Sequence, residues 1–166
     1  MIWNPLSVSE WFRALVLAAL VNSGREAVTT SYSGVGQVAW DDCCGQLTVT
    51  PELVFRSDVF PGEMMSDENC DIYDVGVNLL VSLVRCVPVP DDLGRPPTAA
   101  ALQSAHAAIL TDAMVVWAAI HEPFPAEYEW ERGIVRQTIA GGLGGCVAIE
   151  TRLTLGVSSI MWCVEV

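Results

Sequence analysis

The sequence predicts an α+β fold, a mainly antiparallel sheet with two helices packed on one face. Three observations predict it. Val75, Val77, Leu79, Val81 and Leu83 alternate with Gly76, Asn78, Leu80, Ser82 and Val84, the two-residue period of a strand with one strongly apolar face. A Pro-rich stretch from Cys86 to Pro97 stops that ladder, because proline has no N–H to donate. Thr98 then stands as an N-cap before an Ala-rich apolar pattern that runs to Ile120.

The remaining elements follow in chain order. Ser7-Val8-Ser9-Glu10 has the capping-box pattern, Ser at the cap and Glu three residues on. Trp11, Leu15, Ala18 and Ala19 continue at helical spacing, beside Phe12, Val16 and Leu20, and Asn22-Ser23-Gly24 closes this first helix. Arg25 to Gly36 is polar and rich in Gly, Ser and Thr, which predicts a loop, and Gln37 to Trp40 has the character of a short strand. Asp41 to Gly45 is a turn. Leu47, Val49, Leu53 and Phe55 alternate with polar residues as in a half-buried strand, with Pro51 marking an edge or a bulge. Pro61 to Asp71 is an acidic loop carrying Met64 and Met65.

Glu122 to Arg132 is rich in Pro, acids and aromatics. Ile134 to Ala140 predicts a strand, Gly141 to Gly145 a flexible turn, and Val147 to Leu155 the cleanest alternation in the chain. The apolar stretch Ser158 to Val166 is either a last strand or a segment docked on a neighbour. The order is helix, two or three strands, helix, two or three strands. No repeat, linker or second domain interrupts it, so residues 1–166 read as a single domain.

Composition narrows the function. Of 166 residues, 52% are hydrophobic and 17% charged, which excludes bulk disorder and leaves apolar surface for partners to cover. The net charge is −12, and all eight basic residues are Arg. Such acidity argues against wrapping nucleic acid through phosphate contacts. It is compatible with a wall past which DNA slides. The start, Met1-Ile2-Trp3-Asn4-Pro5, lacks the basic region of a secretory signal, and the apolar run Leu15 to Val21 is too short to span a bilayer. These features predict a soluble protein with no membrane partner.

The residues offer little chemistry. His106 and His121 are the only histidines, both on the second helix and roughly 22 Å apart at the α-helical rise, too far to share a metal. Asp41-Asp42 and Asp91-Asp92 sit at turns, where Asp bonds the local backbone. The glycine run at 141–145 is followed by no Lys-Ser/Thr pair and is no phosphate cradle. Six cysteines form no CxxC, and buried thiols account for Cys86 and Cys146. A structural metal on Cys43 or Cys44 with Cys70 and Cys146, and a Cys44–His106 pair, are the arrangements the spacing leaves open. The expectation is a protein that is not an enzyme, with no catalytic residue, cofactor or metal.

Three stretches carry a resemblance: Val38 to Leu47 with Trp40-Asp41-Asp42-Cys43-Cys44-Gly45; Val84 to Asp92 with Pro96-Pro97 before the Ala-rich helix; and Gly141 to Val147 entering a strand. In this order they resemble the small neck proteins of long-tailed bacteriophages with high-GC hosts. Within that group the layout is similar to tail terminators. The resemblance implies a virion protein at the head–tail junction, a ring, usually of six copies, that caps the tail tube and meets the head connector while DNA passes through its lumen without specific binding. Assembly would take place in the host cytoplasm. The partners implied are further copies of the chain, the tube protein and the connector protein. Met64, Met65, Trp130 and Trp162, with Trp3, are the candidate contact residues, each Trp equally explained as the edge of a core. Alternatives are a connector ring nearer the portal, with Pro61 to Asp71 as an inserting loop, and an acidic mimic of DNA. The acids scatter over turns rather than lining one face, which disfavours the mimic.

Overall fold

The computed structural model describes residues 4–35, 45–63, 72–125, 128, 130–141 and 145–161; of 72, 73 and 158–161 it describes the backbone alone. The order is α1 (Pro5–Asn22), β1 (Thr30–Ser33), β2 (Gln46–Ser57), β3 (Ile72–Cys86), α2 (Ala99–Ile120), β4 (Glu131–Ala140) and β5 (Cys146–Met161). The five strands form one sheet in the order β1-β2-β3-β5-β4. Every neighbouring pair is antiparallel except β1 with β2. Both helices lie against each other and against the sheet, so the expected α+β class and helix layer are present.

The local chemistry explains each helix. α1 starts earlier than the capping-box pattern predicts. Asn4 is the cap, its side chain accepting from the Leu6 N–H at 2.9 Å, and Pro5 occupies the first turn. Proline is preorganised there because its missing N–H would have no partner anyway. Ser7 therefore sits inside the helix. Val8, Phe12, Val16 and Leu20, one turn apart, form the buried stripe. Gly24, at φ 61°, ends the helix in the left-handed conformation that only glycine adopts without strain. α2 begins where expected. The Thr98 hydroxyl accepts from the Ala101 N–H at 3.2 Å, and His121 forms the C-cap.

The inward face of β3, Val75 to Leu83 at every second residue, is buried with Leu47 and Val49 of β2 and Ile149, Leu153 and Leu155 of β5 under both helices. The ladder shifts register between Pro51 and Leu53, and β1 pairs only with Gln46–Val49, so Pro51 marks a bulge on a part of β2 with no described neighbour on its outer side. The edge is β1, inside the stretch expected to be a loop. Thr30–Ser33 has no apolar alternation, and it is a strand because β2 supplies a parallel partner for it. The expected short strand at Gln37 to Trp40 lies outside the described residues.

Cys86 and Cys146 correct a second expectation. They stand directly opposite each other where β3 and β5 pair, and both are disulfide-bonded and not free thiols. Their 60-residue separation hides this in the sequence. The cross-link clamps the end of the sheet from which the Pro-rich connection to α2 departs.

On the face away from the helices, Gly76 and Gly156 are cross-strand partners. A methyl group at Gly76 would come 2.2 Å from the Phe55 ring, and one at Gly156 would meet Phe60 at 3.3 Å. The glycines are the trough in which these two rings lie. Gly76→Ala is expected to cost about 1–3 kcal/mol by overpacking, read as a lower urea midpoint. Adding Phe55→Leu should return part of that loss.

α2 is long and apolar enough to cross a membrane by length and composition alone. In this fold its one charged residue, Asp112, is buried in ion pairs with β3 and with the loop after α1.

Candidate assembly surface

The helix layer has an inner and an outer side. α2 buries Ile109, Asp112, Ala113, Val116, Ala119 and Ile120, at helical spacing. Its opposite side presents Leu110 (55% exposed), Met114 (73%) and Trp117 (40%), again one turn apart. Single exposed apolar residues are ordinary, but a contiguous uncharged row on one helix is not. Between this row and α1 runs an open groove of about 560 Å³, lined by Leu15, Ala18, Met114, Val115, Ala118 and Glu122 among others. Glu122 is its only charged lining residue. The groove exists because small side chains, Ala18 and Ala19 on α1 and Ala118 and Ala119 on α2, face each other across the helix pair.

At the other end of α2 the Pro-rich connection carries a stiff turn. The Asp91 carboxylate accepts from the N–H groups of Leu93 and Arg95 at 2.9 and 3.0 Å, and from Arg95 Nε at 2.7 Å. The Asp91 N–H donates to the Arg95 carbonyl, and the Gly94 N–H to the Asp91 carbonyl. Gly94 at φ 73° closes the turn. Leu93 at its tip is 78% exposed and Val89 below it is 55% exposed. An apolar tip on a preorganised turn costs little further ordering when it docks.

The backbone and side-chain bonds from Arg95 hold the Asp91 carboxyl below its ordinary value. Because this pKa is depressed on folding, the carboxylate's contribution to the turn is fully present above the ordinary aspartate value and is lost as pH falls through the lowered one. A carboxyl-carbon NMR titration should place Asp91 below the usual aspartate midpoint. Arg95→Ala should move it upward.

Trp130 sits in a cluster of five aromatic rings and is half-buried. Its ring stacks on Tyr128 at 4.4 Å and meets Trp11 edge-on at 5.4 Å and Phe124 at 5.6 Å, with Phe12 behind. The Arg132 guanidinium lies 4.5 Å from the Phe124 ring centre. Burial lowers the Arg132 pKa from its ordinary value. Trp130 thus belongs to the edge of the core, where α1 meets the chain entering β4. Met64, Met65 and Trp162 lie outside the described residues, as do Trp3, Cys43, Cys44 and Cys70. Of the four candidate contact residues, Trp130 alone falls among the described residues.

Two polar constellations complete the picture. Asp112 receives Arg85 Nε at 2.8 Å on one oxygen and Arg25 Nε on the other. Arg85 also donates to the carbonyls of Glu26 and Ala27, and Arg25 to that of Ala108. This cluster joins the loop after α1 to β3 and α2. On the far face of the sheet, a shallow concavity is lined by Glu52, Asn78, Arg136, Arg152 and Thr154. Arg152 pairs with Glu52 at 3.3 Å and Glu150 at 3.0 Å, so its charge is met locally. Among the described residues no three His, Cys, Asp or Glu side chains group as metal ligands. His106 is exposed on α2, and His121 bonds the Trp117 carbonyl through Nδ1 at 2.8 Å.

Among the described residues the arrangement offers two apolar surfaces: a groove with one charged lining residue at one end of the helix layer and an apolar turn at the other. The sequence contained a signal for both, the lack of charge along α2 and Leu93 between Asp92 and Gly94, but only the helix–helix packing gives the groove its shape. No protein-family model matches the chain, and no curated protein is significantly similar to it.

Proposed function

We propose that this chain is a structural subunit of the head–tail junction of a long-tailed bacteriophage, assembling with copies of itself into a ring that caps the tail tube. The observation that carries the proposal is the uncharged row on the outer side of α2 and the groove beside it, whose one charged lining residue is Glu122. Leu110, Met114, Trp117 and the groove beside them form a face that, in a chain of net charge −12, is suited to close contact with another protein. The α+β architecture accords with the resemblance to tail terminators. The acidity accords with a lumen that repels DNA and lets it slide.

The test is polymerisation of the tube protein in the presence and absence of the full chain. A terminator shortens the tubes and adds density to one end in electron micrographs. Unchanged tube lengths with bare ends would overturn the terminator role. Binding to the isolated portal or connector ring in place of the tube end would assign the chain to the connector reading.

A further inference from the structure

The Cys86–Cys146 bond stands apart from what holds the domain together. The two cysteines are the last paired positions of the ladder between β3 and β5. Beyond them the Val87 N–H donates to the Gly145 carbonyl at 2.8 Å. Alternation along the strands places both side chains on the sheet face away from the helices. The main core under the helices, from Val8 to Val157, contains neither cysteine. Cys146 belongs instead to a small separate cluster with Val84 and Ala148. Domains that depend on disulfides to fold lack a large core, whereas this one buries Phe12, Leu20, Leu79, Leu83, Ile149 and Leu153 away from the bond.

The two sulfurs also differ in access. Cys86 is exposed, whereas Cys146 is 8% exposed. A small thiol therefore reaches the bond from the Cys86 side. Exposed disulfides are the ones that thiols exchange readily. The segment tethered by this bond is the start of the Pro-rich connection. Gly145, at φ 84°, leaves room for it, since a methyl group there would come 2.6 Å from Val89 Cγ1. Val87 to Val89 thus lies close against Gly145, tied by a backbone hydrogen bond and by the disulfide.

We infer that the Cys86–Cys146 bond is a redox latch: thiols open it and small-molecule disulfides close it while the domain stays folded, so that the start of the Pro-rich connection is pinned only in oxidising surroundings. The latch does not depend on the ring reading. Closure takes two exchanges. The Cys86 thiolate attacks a disulfide RSSR, which forms a mixed disulfide on Cys86 and releases one RS−. The Cys146 thiolate then attacks the Cys86 sulfur, which forms the protein disulfide and releases the second RS−. The two cysteine protons end on the two released thiolates, and RSSR takes up the two electrons that the protein sulfurs lose. A chain made in a cytoplasm, where thiols are kept reduced, carries the latch open and closes it on leaving.

The test equilibrates the full-length chain in native buffers of reduced and oxidised glutathione, then locates bonds and adducts by alkylation and peptide mass spectrometry. The bond should open and re-form reversibly, with glutathione at least tenfold more abundant on Cys86 than on Cys146. Reduction should leave the circular dichroism unchanged. Amide NMR shifts should move at Val87, Val89 and Gly145 and stay fixed at Val77 and Leu79. Cys146→Ser should trap the adduct on Cys86. A bond that opens only in denaturant, a reduced chain that unfolds, an adduct that favours Cys146, or cysteines that stay unlinked in oxidised glutathione would each overturn the latch.

Discussion

Asp112→Ala is expected to destabilise the protein by about 3–5 kcal/mol, the cost of breaking a buried ion pair from one side. Asp112 and Arg85 are each at most 3% exposed, and Arg25 is mostly covered. Removing the carboxylate leaves the Arg85 guanidinium in the interior with only the carbonyls of Glu26 and Ala27 as acceptors. The loss is therefore an uncompensated buried cation and not a missing contact alone. Asp112→Asn, which retains an acceptor oxygen, should fall between. Replacing the pair together, Arg85→Met with Asp112→Leu, should recover much of the loss, because hydrophobic substitutes of similar volume commonly match a buried pair. Urea denaturation of the four proteins checks this. A single Asp112→Ala variant within 1 kcal/mol of the parent would mean that water reaches the cluster.

Phe12→Ala should cost a similar amount, about 3–5 kcal/mol, from lost burial and the cavity left behind. Phe12 is wholly buried and serves two neighbourhoods at once. It belongs to the stripe that α1 lays on the sheet, and its ring backs the aromatic cluster, 4.8 Å from Trp11 and 6.0 Å from Phe124. The variant should also lose near-ultraviolet dichroism, because Trp11 and Trp130 lose the ring that fixes their orientation. Phe12→Leu, which keeps most of the volume, should cost less and preserve that signal. A small loss with an unchanged aromatic spectrum would show that the cluster closes over the gap.

How much of this was legible depends on how each element is stabilised. β3, β5 and α2 were readable because their own side chains carry the period, and one apolar face suffices to orient each of them. β1 was not. Thr30–Ser33 is polar and is a strand only through its partner, which no local pattern records. The start of α1 was displaced because two cap signals compete over four residues, and Asn4 followed by Pro5 prevails over Ser7 and Glu10. The disulfide depends on the register of two strands 60 residues apart. The ion cluster left a fainter sign, since Asp112 is the only charge in α2 and Arg85 ends an apolar strand, but which cation meets which anion is a matter of packing. For the same reason the sequence left Trp130 between a contact residue and the edge of a core, and the fold shows its ring half-buried among Trp11, Phe124 and Tyr128.

The central claim is that the outer side of the helix layer exists to meet other copies of this chain. Native mass spectrometry of the full-length protein over a wide concentration range, with and without tail tubes, tests it most directly. The account predicts a discrete closed species near six times the 17.9 kDa chain mass, formed alone at high concentration or on tube ends. A chain that stays monomeric at every concentration and in the presence of tubes would contradict it.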